Sequence, residues 1–235
     1  MPELSPLPWE NVGPEFKKPK KQAAILLDLH RCTGCHACSV SCKTEHEVPL
    51  GDFRMRVRYM EPPQPERSQQ LAFVPMLCMH CQDAPCLNAC PTSAIGRLDD
   101  GRVVVDEDKC CGNKACITAC PYGAIFINEE TQKAEKCDMC THRTEVGLEP
   151  ACVDACPTDA MKFHDLGDEN DPITKMARKQ NAKAWKEDAE TAPSVLYINH
   201  EKWMEDKANL GVQISDQDED PIYEQDNFGT KGGGA

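Results

Sequence analysis

The feature that most constrains this chain is its cysteine content, sixteen cysteines in 235 residues. They fall into four groups of four, and three of the groups end in a cysteine followed by proline, CPTSAI, CPYGAI and CPTDAM. Aromatic residues make up only 6 % of the chain, so a large apolar core is not expected to hold it together. The groups are Cys32, Cys35, Cys38, Cys42; Cys78, Cys81, Cys86, Cys90; Cys110, Cys111, Cys116, Cys120; and Cys137, Cys140, Cys152, Cys156.

The spacing within these groups predicts iron–sulfur clusters. The run C-x2-C-x2-C supplies three thiolates to one cubane, and a cysteine three residues further on reaches a neighbouring cluster. The first group fits this run, whereas the second and fourth have longer gaps before their third cysteine. Paired C-x2-C motifs also occur in zinc sites, but zinc needs neither the third cysteine nor the repeated C-x3-C-P ending. We interpret His36 and His80, which lie between cysteines, as spacers rather than ligands.

The third group departs from the pattern. If Cys110 and Cys116 are its first and third ligands, the second position holds Asn113. Two outcomes are open: a [3Fe–4S] cluster that lacks one iron, or a [4Fe–4S] cluster completed by Cys111. Cys111, Cys116 and Cys120 repeat the spacing of the last three cysteines of the second group, which favours Cys111 as the ligand.

Charge and hydropathy exclude several classes of protein. The formal net charge of −13 argues against a nucleic-acid partner. Residues 1–22 lack the apolar segment of a signal peptide, and we expect no membrane-spanning helix. The expected location is the cytoplasm, with membrane association through a partner, and export alongside a signal-bearing partner is the alternative. A radical enzyme would need C-x3-C-x2-C, which does not occur, so we expect no catalytic site.

Four lysines next to cysteines, Lys43, Lys109, Lys114 and Lys136, are candidates for raising cluster potentials, although solvated charges are the simpler interpretation. Short aliphatic runs predict strands at 23–29, 103–106, 124–128 and 195–199. Asp171 and Pro172 predict the start of a helix that runs to about residue 185.

Four features carry a family resemblance: the order of the groups, the wide fourth group, the GD-x2-DP segment at 167–172 and a CK-x-E-x3-P stretch formed by Cys42, Lys43, Glu45 and Pro49. The chain resembles the iron–sulfur β subunits of molybdopterin oxidoreductases of the DMSO reductase superfamily. It is most similar to the polysulfide, tetrathionate, sulfite and arsenate group, over about residues 24–200.

The resemblance implies an α+β fold of two intertwined bacterial 2[4Fe–4S] ferredoxin-like modules with N- and C-terminal extensions. The first module comprises 24–60 and 132–165, and the second, 66–131, is inserted into it. Three further segments flank the modules: an N-terminal extension at 1–23, a helix and strand extension at 166–209 and an acidic tail at 210–235. We expect the acidic tail to lie on a partner.

The resemblance also implies how the ligands pair and that four clusters lie in a line. Three clusters are [4Fe–4S], and the fourth is [4Fe–4S] or [3Fe–4S]. The implied ligand sets are Cys32, Cys35, Cys38 with Cys156; Cys137, Cys140, Cys152 with Cys42; Cys78, Cys81, Cys86 with Cys120; and Cys110, Cys116, Cys90 with or without Cys111.

The function implied is a relay of single electrons. It runs between a molybdenum or tungsten molybdopterin catalytic subunit, acting on a sulfur or arsenic oxyanion, and an integral membrane subunit that reacts with quinone. The alternative is the four-cluster subunit of a formate dehydrogenase or hydrogenase complex.

Overall fold

The structure is a computed structural model that describes residues 21–62 and 71–207. The predicted acidic tail and most of the predicted N-terminal extension lie outside the described residues. Ten strands and six α-helices are described: β1 Ala23–Asp28, α1 Ala37–Glu45, β2 Met55–Met60, β3 Ala72–Leu77, α2 Pro85–Ala89, β4 Ile95–Arg97, β5 Val103–Val105, α3 Ala115–Ala119, β6 Phe126–Asn128, β7 Lys133–Glu135, α4 Thr141–Thr144, α5 Ala151–Asp154, β8 Met161–Asp165, α6 Pro172–Lys179, β9 Lys183–Ala184 and β10 Val195–Ile198.

The largest sheet has the order β8-β1-β10-β9. β1 runs parallel to β10 and antiparallel to β8, so segments from both ends of the described residues meet at its centre. Both faces of β1 are covered: Ile25 and Leu27 pack into the main core with the cysteines, and Leu26 packs into a second cluster beside α6. Burial on both faces explains the continuous aliphatic sequence of this strand.

Three two-stranded sheets complete the fold. β2 pairs antiparallel with β3 over six residues, which connects the two proposed modules. Sequence analysis did not predict this pair, although Met55–Met60 alternates apolar and charged residues as a strand does, and Pro75 within β3 argues against a paired strand. The hairpins β4-β5 and β6-β7 each follow a Cys-Pro turn.

The apolar residue after each Cys-Pro turn is buried, as the repeated CPxxA sequence led us to expect. Ile95, Ile125 and Met161 are each 5 % exposed or less. These side chains fix each cysteine loop to the core through the strand or turn that follows it.

Helix α6 begins where sequence analysis placed it. The Asp171 carboxylate accepts hydrogen bonds from the backbone N–H groups of Ile173 and Thr174, the expected N-cap geometry. The helix ends at Lys179, earlier than expected, and Trp185 is instead buried beyond β9 against Tyr197. None of the helices in 21–62 and 71–207 has the length and hydropathy needed to cross a bilayer.

Candidate iron–sulfur centres

The four cysteine groups share one arrangement on the backbone. The third cysteine of each group is the second residue of a short helix: Cys38 in α1, Cys86 in α2, Cys116 in α3 and Cys152 in α5. All four are buried. The fourth cysteines Cys90 and Cys120 lie at the C-caps of α2 and α3 with almost identical backbone dihedral angles. The same loop-and-helix unit therefore occurs four times, and each copy presents the sulfur atoms of its own cysteine group.

Three of the predicted ligand sets each line one cavity. The empty space at each site, including the part open to solvent, is nearly equal, about 310, 320 and 320 Å³. In each case a fourth cysteine from a different group closes a cavity formed by one loop. The cysteines are Cys32, Cys35, Cys38 and Cys156 in the first cavity, Cys78, Cys81, Cys86 and Cys120 in the second, and Cys90, Cys110, Cys111 and Cys116 in the third.

The remaining predicted set, Cys42, Cys137, Cys140 and Cys152, consists of cysteines whose thiolates raise one another's pKa values. Burial raises the pKa of Cys137 well above its usual value, and the thiolates of Cys42 and Cys152 raise it further. Burial likewise raises the pKa of Cys42 to about 12, with Cys140 as the next largest cause. These four sulfur atoms are thus neighbours in a dry interior.

The four sets also follow one another in space. Cys38 of the first set adds to the pKa shift of Cys152, after burial, Cys42 and Cys140. Cys78 raises the pKa of Cys137 in the same way, after the larger effects of burial and nearer anions. Cys116 in turn raises the pKa of Cys86, after the larger effects of burial, Cys78 and Cys120. Each set therefore lies close enough to the next for their thiolates to interact, and the four sets form a single series.

Backbone N–H groups point at several sulfur atoms. Donor–acceptor distances are 3.2 Å from Ala94 to Cys90, 3.3 Å from Met139 to Cys137 and 3.4 Å from Ala151 to Cys140. At Cys156, burial opposes ionisation, but the N–H groups of Thr158, Ala160 and Met161, together with the Thr158 hydroxyl, outweigh it and lower the pKa. Such donors stabilise the thiolate form that binds iron.

A histidine that sequence analysis missed approaches one of these thiols. His46 Nε2 lies 3.2 Å from Cys140 Sγ, and Arg54 Nη1 lies 3.0 Å from His46 Nδ1. Because a guanidinium only donates, Nδ1 is the acceptor and Nε2 carries the proton toward sulfur. Glu135 holds Arg54 through a 2.9 Å ion pair. His46 lies within the CK-x-E-x3-P stretch, so that motif was the available signal.

The four candidate lysines differ in environment. Lys136 is buried and donates to the carbonyl groups of Val103 and Cys137. Lys43 donates to the carbonyls of Pro49 and Asp52, and its ammonium lies over the Phe53 ring. Lys109 and Lys114 are exposed, and Lys109 pairs with Asp106. The solvated-charge interpretation thus fits Lys109 and Lys114 but does not fit Lys136.

The histidines interpreted as spacers have structural contacts. His36 Nε2 lies 2.8 Å from the Tyr59 hydroxyl, and the two rings stack. His80 is fully buried, and its Nδ1 accepts from the Val103 N–H at 3.0 Å. Burial lowers the pKa of His80 well below its usual value, so the ring is neutral.

The donor chemistry fits iron–sulfur clusters. All sixteen cysteines are free thiols, gathered in fours with N–H donors facing sulfur, which is the ligation that clusters require. Burial raises the pKa of Cys38, Cys81 and Cys86 to about 12, so without a cation these thiols stay protonated. Iron would supply the positive charge that lets them ionise.

Comparisons with known proteins agree with this chemistry. Two models described as 4Fe-4S dicluster domains match residues 69–166 and 31–94. A tetrathionate reductase subunit of Salmonella typhimurium is 43% identical over 184 residues, covering 77% of this chain and 73% of the relative. The thiosulfate reductase electron transfer subunit of Salmonella typhi is 38% identical, covering 80% and 97%. A polysulfide reductase polypeptide of Wolinella succinogenes is 33% identical, covering 77% and 96%.

These relatives and the matched domains agree with the resemblance found in the sequence motifs. This protein belongs to the iron–sulfur electron-transfer subunits of the DMSO reductase superfamily of molybdopterin oxidoreductases, in the group that includes the tetrathionate, thiosulfate, polysulfide and arsenate reductases.

Proposed function

We propose that this chain carries single electrons through four clusters between a molybdopterin catalytic subunit that acts on a sulfur or arsenic oxyanion and a membrane subunit that reacts with quinone. The chemistry on the oxyanion takes place on the catalytic subunit, and this chain contributes no catalytic residue. Its location is cytoplasmic or at the membrane through that partner. The names of the tetrathionate, thiosulfate and arsenate reductase subunits support the class of substrate.

The observation that carries the proposal is the row of four cysteine sets. Electrons move between centres only over short distances, and here each set lies close enough to the next for its thiolates to shift the pKa of the neighbouring set. The polypeptide fixes the spacing of the centres and adjusts their potentials through N–H···S bonds and burial.

The proposed ligands are those implied by the resemblance. They are Cys32, Cys35, Cys38 and Cys156; Cys42, Cys137, Cys140 and Cys152; Cys78, Cys81, Cys86 and Cys120; and Cys90, Cys110 and Cys116, with or without Cys111, at the fourth site. The first three sets bind [4Fe–4S] clusters.

The test is made on the native complex isolated without oxygen. We expect about fifteen or sixteen iron atoms per copy of this chain, as four clusters require. We also expect the large subunit to be identified by mass spectrometry as a molybdopterin protein. After reduction of the clusters, tetrathionate, thiosulfate, sulfite and arsenate are added to separate samples, and one of them should reoxidise the clusters and remove their electron paramagnetic resonance signal. Zinc in place of iron, or a reduced complex that none of the four reoxidises, would contradict the proposal.

A further inference from the structure

The first and third cysteine loops have the same backbone conformation. In the first, Gly34 and His36 have φ of 68° and 60°, and in the third Gly112 and Lys114 have φ of 67° and 68°. Both glycines are required, since an added Cβ would lie 2.5 Å from the Phe73 ring at Gly34 and 2.7 Å from the Gln132 carbonyl at Gly112. These positive φ values set the register of the two loops independently of the cysteines.

In this register, Cys110 corresponds to Cys32 and Cys116 to Cys38. Asn113 then corresponds to Cys35, and Cys111 corresponds to Thr33. Side-chain exposure agrees, because Thr33 and Cys111 are both exposed, as are Cys35 and Asn113, while Cys38 and Cys116 are both buried.

The other two loops follow the same rule. The residue two after the first cysteine has a positive φ in all four groups: Gly34, His80, Gly112 and Met139. In the first, second and fourth groups the next residue is a cysteine, Cys35, Cys81 or Cys140, and in the third it is Asn113. The backbone thus marks position 113 as the one that presents the second ligand, although cysteine spacing alone favoured Cys111.

Asn113 is a poor replacement for a thiolate. Its amide oxygen is neutral and hard, whereas iron in a sulfide cluster favours soft thiolates. That oxygen also accepts a hydrogen bond from the Ala115 N–H at 3.3 Å, so it is already engaged within the loop. A fourth iron atom at this site would therefore receive no anionic ligand from position 113.

We propose that Cys111 is not a ligand and that Cys90, Cys110 and Cys116 hold a [3Fe–4S] cluster whose missing corner faces Asn113. The proposal rests on the proposed function, because it concerns the type of its fourth cluster. Burial raises the pKa of Cys116, and among the cysteines it is Cys110 and Cys90 that add to this shift, which is consistent with these three sulfur atoms sharing one site.

The test compares two neighbouring substitutions, Cys111→Ser and Asn113→Cys, in the native complex prepared without oxygen and then fully oxidised with a mild redox dye. An oxidised [3Fe–4S] cluster has an unpaired spin and an oxidised [4Fe–4S]²⁺ cluster has none. We expect about one spin per chain in the wild type and in Cys111→Ser, with equal iron content. In Asn113→Cys the spin should disappear while iron rises by about one atom per chain.

A wild type without this spin, or a Cys111→Ser variant that loses it together with iron, would overturn the proposal. If Asn113→Cys fails to fold, Cys111→Ser alone still decides, since serine at an exposed position leaves the core intact. Failure of the proposed function gives a different result, because none of the four added compounds would then reoxidise the reduced complex, whatever the spin and iron content of the fourth site.

Discussion

The inner and outer cysteine sets differ in their access to water. The inner sets are Cys42, Cys137, Cys140 and Cys152, all buried, and Cys78, Cys81, Cys86 and Cys120, of which only Cys120 is partly exposed. The outer set of Cys32, Cys35, Cys38 and Cys156 contains one exposed and two half-buried cysteines. At the other outer site Cys90 is half-buried, Cys110 and Cys116 are buried, and the exposed residues Cys111 and Asn113 border the site.

The polar groups around the sets follow the same division. His46, Arg54, His80 and Lys136 lie beside the inner sets, and the ion pair that fixes Arg54 is itself buried. The outer sets have backbone N–H donors, as the inner sets do, together with threonine hydroxyls and nearby solvent. If the proposed function is correct, fixed side chains would tune the inner clusters, whereas the outer clusters would exchange electrons with partners.

The largest expected effect distinguishes the two kinds of site by stability. Replacing Cys137 with alanine removes an inner ligand from a place that water does not reach, and the lost cluster leaves an uncompensated cavity in the core. We expect a loss of about 4 kcal/mol or more, which lowers Tm by about 8–16 °C. Cys35→Ala is the matched outer variant, and solvent there fills the vacated space, so its Tm should fall by less than about 4 °C.

The measurements are thermal unfolding by circular dichroism and iron content per chain for both variants. Each should lose the iron of one cluster at most. Equal decreases in Tm would mean that burial does not distinguish inner from outer sites.

The second prediction concerns the two lysines next to cysteines that differ most in burial. Lys136 is 3 % exposed, and no carboxylate among the described residues pairs with it. Its positive charge lowers the pKa of Cys86, against the larger raising effects of burial and Cys78. Lys136→Gln should therefore disfavour the reduced form of the inner clusters about tenfold, a decrease of about 60 mV for one electron.

Lys109→Gln is the matched control, because the Lys109 side chain is 62% exposed, lies next to Cys110 and pairs with Asp106. Salt and water screen such a charge, so we expect almost no change in any potential. Potentials are read from redox titrations followed by electron paramagnetic resonance. A shift in Lys109→Gln as large as that in Lys136→Gln would remove the distinction between inner and outer charges.

How much of this molecule the sequence could predict depends on which residues carried a local signal. The repeated Cys-Pro ending predicted the burial of Ile95, Ile125 and Met161, and Asp171-Pro172 predicted the start of α6. The β2-β3 pair was missed although β2 alternates apolar and charged residues, because Pro75 argues against a strand in β3 and the pairing is a tertiary contact that neither segment shows alone. The register of the third loop stayed open for another reason, since cysteine spacing allows either Asn113 or Cys111 at the second position and the positive φ values that separate the two are seen only in the structure.

The smallest expected effect comes from the hydrogen bond that His46 donates to Cys140. Its direction is fixed by Arg54, and a donor to sulfur stabilises the electron-rich reduced cluster. His46→Leu removes a bond of about 1 kcal/mol, which corresponds to a decrease of about 40 mV in the potential of that one cluster. His142→Leu is the control, because His142 lies 5.3 Å from the His46 ring and pairs with Glu45 rather than with sulfur. His46→Gln, whose side-chain amide also donates, should recover part of the loss. An unchanged potential in His46→Leu, or an equal decrease in both leucine variants, would show that side chains around the inner sites do not set their potentials through this bond.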